Sequence, residues 1–518
     1  MKSGSDPRPA EVRARVSAVA DGDVSTCEFA RPTDPCAVVI MGATGDLTAR
    51  KLMPALFNLY RSGGLPEPFL ILGGGRTAWS DEEFRRRMQS SVEPAAADAA
   101  AWGRFAAALS YRRVDYADEG SVAGLVAELH ALEEGAGTRG NRLVYLALPP
   151  ALYQPVAVNL GKAGLGKRRR GEGWSRIVLE KPFGSDLASA IELDRRLHAH
   201  FAERQIFRID HYLAKETVQN VLMFRFANSI FEPLWNRRYI DHVRILASET
   251  LGIEHRAGYY EEAGVLRDMF QNHMLQVLSL IAMEPPPRFE AELVRDEKSK
   301  VFSALRPFPT ASLETHLVLG QYAAGRVDGK QVPAYREEEG VDSGSTTPTY
   351  ATMKVFIDNW RWQGVPVCLT SGKRLSQKTT EIVIQFKQVP HAMFRRTLGE
   401  SITANRLRLA ISPDEKITLT FQTKDPGSAV CLRTVTMDFD YHQGYEGPRL
   451  EAYEKALLDC MLGDQMLFWR QDGVELAWAF LEPVLEACEE CDGPGPRLHP
   501  YPAGSDGPPE ALRLMERA

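Results

Sequence analysis

The sequence predicts an α/β plus α+β protein: an N-terminal doubly wound parallel sheet, then a C-terminal domain built on a large, mostly antiparallel sheet with helices. Three observations lead there. Short apolar runs alternate with helix-spaced residues through the first half. Longer β-rich segments follow one another in the second half with few helices between them. At 518 residues the chain is long enough for two to four domains of ~150 residues each.

The first-half strands are CAVVIM (36–41), FLILG (69–73), LVYLAL (143–148) and RIVLE (176–180), short and apolar as strands buried on both faces are. Between the first two, Leu52, Leu56, Leu59 and Tyr60 recur at helical spacing. The second-half strands are HVRILASE (242–249), TYATMKVFI (349–357), EIVIQF (381–386) and KITLTFQT (416–423). One helix is expected over about 265–283 and another near 449–462. These elements place a dinucleotide-binding, Rossmann-like domain at 35–205 and a second domain at 206–492. Residues 1–34, rich in Pro, Ser, Asp and Arg without periodicity, read as a disordered arm, and the Gly/Pro-rich 493–518 as a flexible tail.

Composition narrows the function. Lys and Arg number 62 against 68 Asp and Glu, a net charge of −6, which argues against a dedicated nucleic-acid or membrane-surface protein. The basic run KRRR (167–170) reads as a solvated loop. No continuous apolar run near the start resembles a secretory signal, and residues 36–41 fall far short of the ~20 that span a bilayer. Seven cysteines are too few and too odd in number for a disulfide scaffold, so a reducing cytoplasm is expected. Cys488 and Cys491 form a lone CxxC without a second ligand pair, and no metal site is expected.

The first chemical signal follows CAVVIM directly: Gly42, Ala43, Thr44, Gly45, Asp46 and Leu47, then a helix. Gly42 and Gly45 allow a tight turn and close approach to a pyrophosphate at a helix N-terminus. The next strand ends in Gly74, Gly75 and Arg76, where a Rossmann unit reads the adenosine ribose. No acidic residue stands there for a free 2′-hydroxyl. Arg76 instead suits a 2′-phosphate, which favours NADP over NAD.

Three clusters carry further chemistry. EKPFG (180–184) follows RIVLE and puts Lys181 at a carboxyl end of the sheet. RIDHYLAKE (208–216) packs Asp210, His211, Tyr212 and Lys215 around an expected helix start, with His211 and Lys215 facing one way at i,i+4. Two cations on one face call for an anion, which points to phosphate, and leave Asp210 to orient another imidazole. His273, in RDMFQNH (267–273), shares an apolar stripe with Leu266, Phe270 and Val277, with Asp268 on the same helix. Histidine suits proton transfer near neutrality.

Together GATGDLTARKL (42–52), EKPFG, RIDHYLAKE, RDMFQNH and DNWRWQGVPVCLTSGKRL (358–375) resemble the glucose-6-phosphate dehydrogenase family, in its order from about residue 36 to 484. The resemblance implies oxidation of D-glucose 6-phosphate to 6-phospho-D-glucono-1,5-lactone, the first step of the oxidative pentose phosphate pathway. Hydride would go to NADP, with NAD as a second acceptor. It makes His273 the general base and Asp210 its orienting carboxylate, and gives His211, Tyr212 and Lys215 to the sugar phosphate. Lys181, Glu249, Asp268 and Lys373 would bind sugar hydroxyls, with Lys378 a second basic contact. Gly42, Thr44, Gly45, Asp46, Arg76 and Lys181 would serve the cofactor. A cytoplasmic homodimer or homotetramer built through the second sheet is implied too. Gly75 stands where the family usually has Ala, which leaves strict NADP preference open. Ala214 stands where it usually has Gly. A dehydrogenase of another sugar phosphate, or an inactive binding protein on the same fold, are the alternatives.

Overall fold

Strand β1 (Val12–Arg15) precedes six strands that make one sheet: β2 (Cys36–Met41), β3 (Phe69–Gly75), β4 (Leu109–Arg113), β5 (Arg142–Leu146), β6 (Ser175–Leu179) and β7 (Ile206–Arg208). This computed structural model describes residues 12–15, 33–92, 99–166, 173–213, 215–390, 402–427, 432–441, 450–489 and 497–516. The six strands run parallel in the order β4-β3-β2-β5-β6-β7. Every residue of β2 and β5 is buried, which is why their sequences are continuously apolar or paired. Arg142 is the exception to apolarity, and it is neutralised by Glu133 at 2.5 Å. The order reverses between β2 and β5, and that switch point opens the crevice where doubly wound sheets bind ligands.

The second sheet takes β8 (Ile240–Ser248), β9 (Leu317–Ala323), β12 (Tyr350–Val355), β13 (Val367–Gly372), β14 (Thr379–Phe386), β15 (Arg406–Ser412), β16 (Lys416–Lys424), β17 (Leu432–Asp440) and β18 (Leu498–Pro502). A small hairpin of β10 (Gly325–Val327) and β11 (Lys330–Val332) stands apart. With β1 the order is β1-β17-β16-β15-β14-β8-β13-β12-β9-β18. Pairing is antiparallel except at β13/β8, β18/β9 and β1/β17. Helical segments Glu216–Phe226, Leu266–Ala282 and Gln471–Glu489 pack apolar faces into a core shared with Ile245, Ile382 and Leu407 of this sheet.

The fold class matches the expectation, and the differences have physical causes. Strands β4 and β7 carry no clear apolar signal: one reads LSYRR and the other is three residues long. Because β7 belongs to the first sheet, a boundary at 205 would cut that sheet from its last strand. Helix Ala452–Leu462, expected to close the second domain, instead buries Ala456, Leu457 and Cys460 against Val38, Leu56 and Phe57 of the first. The tail expected to be flexible supplies edge strand β18 and helix Pro509–Glu516. An edge strand tolerates Pro500 and Pro502, and Tyr501 between them is fully buried. Within the arm expected to be disordered, β1 pairs with β17; its remaining residues up to 32, the KRRR run, Ala214 and Cys491 lie outside the described residues.

Candidate active site

The chain leaves the carboxyl end of β7 through Arg208, Ile209 and Asp210. Arg208 is buried and held by Asp194 at 2.5 Å and Glu203 at 2.9 Å, so the exit from the sheet is pinned. Asp210 then accepts the backbone N–H of Tyr212 at 3.0 Å and an imidazole N–H from His273 Nδ1 at 2.5 Å, both on Oδ1. Since a carboxylate only accepts, Nδ1 carries the proton and Nε2 keeps its lone pair. That Nε2 is buried and has no partner among the described residues.

His273 lies in a π-helical stretch, Leu266–Met274, that runs into helix Leu275–Ala282. A widened turn of this kind re-aims side chains relative to regular α spacing and often marks functional positions. Burial lowers the His273 pKa, and Asp210 only partly restores it. Burial would raise Asp210, but the imidazole and its hydrogen bond outweigh that and hold the carboxyl at about 2. The pair is a neutral base braced by an anion.

Aromatic and basic groups surround it. The Tyr212 ring stacks on His273 with centroids 4.2 Å apart, and His211 meets the same imidazole edge-on at 4.6 Å. Lys215 Nζ lies 4.4 Å over the Tyr212 ring. Burial lowers the Lys215 pKa, and the positive charge of Lys378 lowers it further, so two lysines face one space that an anion would neutralise. The expected helical pairing of His211 and Lys215 is absent. The Asp210 carboxylate captures the Tyr212 N–H, Leu213 bonds back to the Asp210 carbonyl, and the helix starts only at Glu216. The turn still brings His211 and Lys215 to the dyad, His211 edge-on to the imidazole and Lys215 over the Tyr212 ring.

On the other side, Lys181 Nζ donates to the Asp268 carbonyl at 2.8 Å and its carboxylate at 2.9 Å. The Lys181–Pro182 bond is cis. Tyr259 adds a hydroxyl to the same Asp268 oxygen at 3.1 Å. Lys373, just past β13, pairs with Glu249 at 2.6 Å. The floor below is Tyr260, 5.2 Å from the Lys373 amine.

The glycine turn sits at the switch point. Gly42 has φ +95°, and a Cβ there would collide with the Ala147 carbonyl oxygen, so no other residue fits. Its N–H and that of Ala43 donate to the Gly74 carbonyl at 2.9 and 3.0 Å, and the Thr48 hydroxyl closes back on the Gly42 carbonyl at 3.1 Å. Thr44 and Gly45 form the rim, with Asp46 paired to Arg50 at 2.7 Å on the surface. Arg76 is exposed at the end of β3, beside this turn. Gly75 has a local reason: a Cβ would stand 2.6 Å from the Tyr111 hydroxyl and 3.0 Å from Thr44 Cγ2. The cradle therefore fits a dinucleotide, whose backbone approach needs these Cβ-free positions.

With this geometry in place, two family models account for nearly the whole described chain: the glucose-6-phosphate dehydrogenase NAD binding domain over residues 39–220 and the C-terminal domain over 222–518. The chain belongs to the glucose-6-phosphate dehydrogenase family. A relative from Aggregatibacter actinomycetemcomitans, named glucose-6-phosphate 1-dehydrogenase, is 46% identical over 93% of this chain and 96% of its own. One of the same name from Mycolicibacterium smegmatis is 45% identical over 94% and 97%. A solved glucose-6-phosphate dehydrogenase in complex with its substrate glucose 6-phosphate superposes with a TM-score of 0.86, at 36% identity over 94% of this chain and 98% of that one. The Mycobacterium avium enzyme gives 0.79, at 36% identity over 93% and 96%.

Of the residues expected in the site, the structure gathers His273, Asp210, His211, Tyr212 and Lys215 around the imidazole, and pairs Lys181 with Asp268 and Lys373 with Glu249. The sequence reading missed the tyrosines. Tyr259 and Tyr260 brace Asp268 and Lys373, and Tyr145 holds the buried Glu180 at 2.5 Å. Burial raises the Glu180 pKa. No local pattern links residues 35 positions apart, one in β5 and the other just past the end of β6. Among the described residues no group of three or more His, Cys, Asp or Glu is arranged to hold a metal ion, and no helix is long and apolar enough to cross a membrane.

Proposed function

We propose that the chain oxidises D-glucose 6-phosphate at its anomeric carbon to 6-phospho-D-glucono-1,5-lactone with NADP, the first step of the oxidative pentose phosphate pathway. The observation that carries the reading is the buried His273–Asp210 pair, its Nε2 without a partner among the described residues, with Tyr212 stacked on the imidazole and Lys215 over the Tyr212 ring. His273 Nε2 takes the proton of the anomeric hydroxyl. Asp210 stabilises the imidazolium that forms, as a buried carboxylate does in other histidine dyads. Lys215 and Lys378, with His211 and Tyr212, hold the phosphate, and that remote grip positions the reacting carbon over Nε2. Lys181, Asp268, Lys373 and Glu249 are two ion pairs that exchange part of their mutual contact for sugar hydroxyls.

The bound cofactor supplies one thing, an acceptor for the hydride leaving the anomeric carbon. Gly42, Thr44, Gly45 and Asp46 would seat its pyrophosphate, Lys181 would reach it from β6, and Arg76 would pair with the 2′-phosphate. With Gly75 beside Arg76, NAD is accepted as the poorer substitute. The outer strands support a cytoplasmic homodimer or homotetramer formed through the second sheet: Met437 is 40% and Phe439 42% exposed. Initial rates with glucose 6-phosphate and with unphosphorylated glucose, each with NADP and NAD, test the reading. Reduction that needs the phosphate supports it. No reduction from folded protein with either cofactor rejects it in favour of another sugar phosphate.

A further inference from the structure

One buried titratable side chain near the dyad takes no part in that reaction. Lys298 lies in helix Ala291–Ser303, is 3% exposed, and its Nζ has no hydrogen-bond partner among the described residues. An amine in such a place is destabilising unless it serves a neighbour.

Its helix face identifies the neighbour. Phe302, four residues on, stacks on Trp469 with centroids 5.4 Å apart, and the backbone N–H of Trp469 donates to the Arg208 carbonyl at 3.1 Å, two residues before Asp210. Arg295, three residues back, comes within 3.9 Å of Glu203, which also holds Arg208. The stripe Arg295, Lys298, Phe302 therefore faces the Arg208–Asp210 segment from behind. On that segment Asp210 spends Oδ1 on His273 and Tyr212, while Oδ2 is buried without a partner among the described residues.

The other charges at this spot are engaged elsewhere. Arg470 binds Asp472 at 2.7 Å and Asp296 at 2.6 Å, and Arg295 binds Glu292 and Gln465. Around His273 the charged or titratable groups are Asp210, Lys181, Asp268, His211 and Tyr212, on the site side. From behind, Lys298 Nζ and Asp210 Oδ2 are buried without a hydrogen-bond partner among the described residues, as are Nε and Nη1 of Arg295, whose Nη2 is held by Glu292 and Gln465.

We propose that Lys298 is a positioning residue for the dyad, a positive charge behind Asp210 that helps aim this carboxylate at His273 and so sets the pH at which His273 becomes a base. The inference rests on the reading of His273 as the base. Burial first, then Arg295, hold the Lys298 amine down to about 7, with Asp210 pulling it back up. Its charge is thus present below neutrality, where it lowers the His273 pKa, and fades above.

The test compares wild type, Lys298→Met and Lys298→Arg. It reads the pH profile of kcat/KM and, without substrate, the nitrogen-15 NMR titration of His273. In Lys298→Met the acid limb and the His273 titration both move up by about one unit, and the rates converge with wild type above pH ~8. Lys298→Arg keeps the wild-type limb. An unmoved limb in folded Lys298→Met, a loss independent of pH, or the same shift in both variants would overturn the proposal. Lys298→Gln repeats the comparison should methionine fail to fold. The two readings fail separately: inactive wild type rejects the proposed reaction, whereas the NMR difference decides the role of Lys298 by itself.

Discussion

Asp210 divides its oxygens between two duties, one facing His273 and one buried toward the back of the site. That division was half legible in the sequence. A carboxylate and a histidine 63 positions apart carry no mutual signal in themselves; the residues offered Asp210 as a partner for another imidazole, and the family resemblance named His273 as the base it orients. The turn chemistry explains why the helical reading of His211 and Lys215 failed: the Asp210 carboxylate takes the Tyr212 N–H and the helix starts only at Glu216. Two expectations follow at this scale. Lys215→Ala removes one of two facing cations, so KM for glucose 6-phosphate should rise by at least ten-fold while rates with unphosphorylated glucose barely change, since a charge-assisted contact contributes about 1.5–3 kcal/mol. Equal losses on both sugars would remove Lys215 from the phosphate. Arg76→Ala should raise KM for NADP and leave that for NAD nearly unchanged; parallel changes would end its assignment to the 2′-phosphate.

Elements hold these side chains where single residues could not. Strand β18 is the clearest case, because the Tyr501 hydroxyl donates to the Lys373 carbonyl at 2.7 Å and meets the Thr349 hydroxyl at 3.0 Å. A segment whose composition reads as flexible thus steadies a lysine of the site. Composition misled here because Gly and Pro are read as breakers, whereas an edge strand needs donors on one side only. Tyr501→Phe should lower stability by about 1 kcal/mol and raise KM for glucose 6-phosphate, measured by thermal melts and steady-state kinetics. A melt and a KM equal to wild type would show that β18 does not support Lys373. At the other sheet, Gly75→Ala should push Tyr111 and weaken NADP binding, and Tyr111→Phe in the same chain should recover it by removing the clashing oxygen. Failure of the double variant to recover would mean that Gly75 answers to something other than Tyr111.

Across the whole molecule, four of the six strands in the first sheet and four of the ten in the second were legible from apolar or β-rich runs. What escaped includes a strand too short to show a pattern, β7, strands whose apolar residues alternate with polar ones, as in β15 and β17, and the packing of helix Ala452–Leu462 on the first domain. The π-helical stretch at His273 was invisible too, since its apolar residues also fit regular helical spacing. The pH behaviour is a property of the assembled interior. Burial lowers the pKa of both His211 and His273 below the usual ~6.5. Below pH ~6.5 the unfolded chain binds protons that the folded one refuses, so stability should fall as pH drops toward the folded values. Activity should persist below pH 6.5, because His273 stays neutral there. A kcat/KM limb above 6.5 would contradict the lowered pKa.

The central claim is that His273 takes the proton, and His273→Asn tests it most directly when binding and turnover are measured on the same preparation. Calorimetric affinity for glucose 6-phosphate should stay within a few-fold of wild type while kcat falls by about 10²–10⁴, the usual reach of a general base. A near-normal kcat from the folded variant would show that the proton leaves by another route.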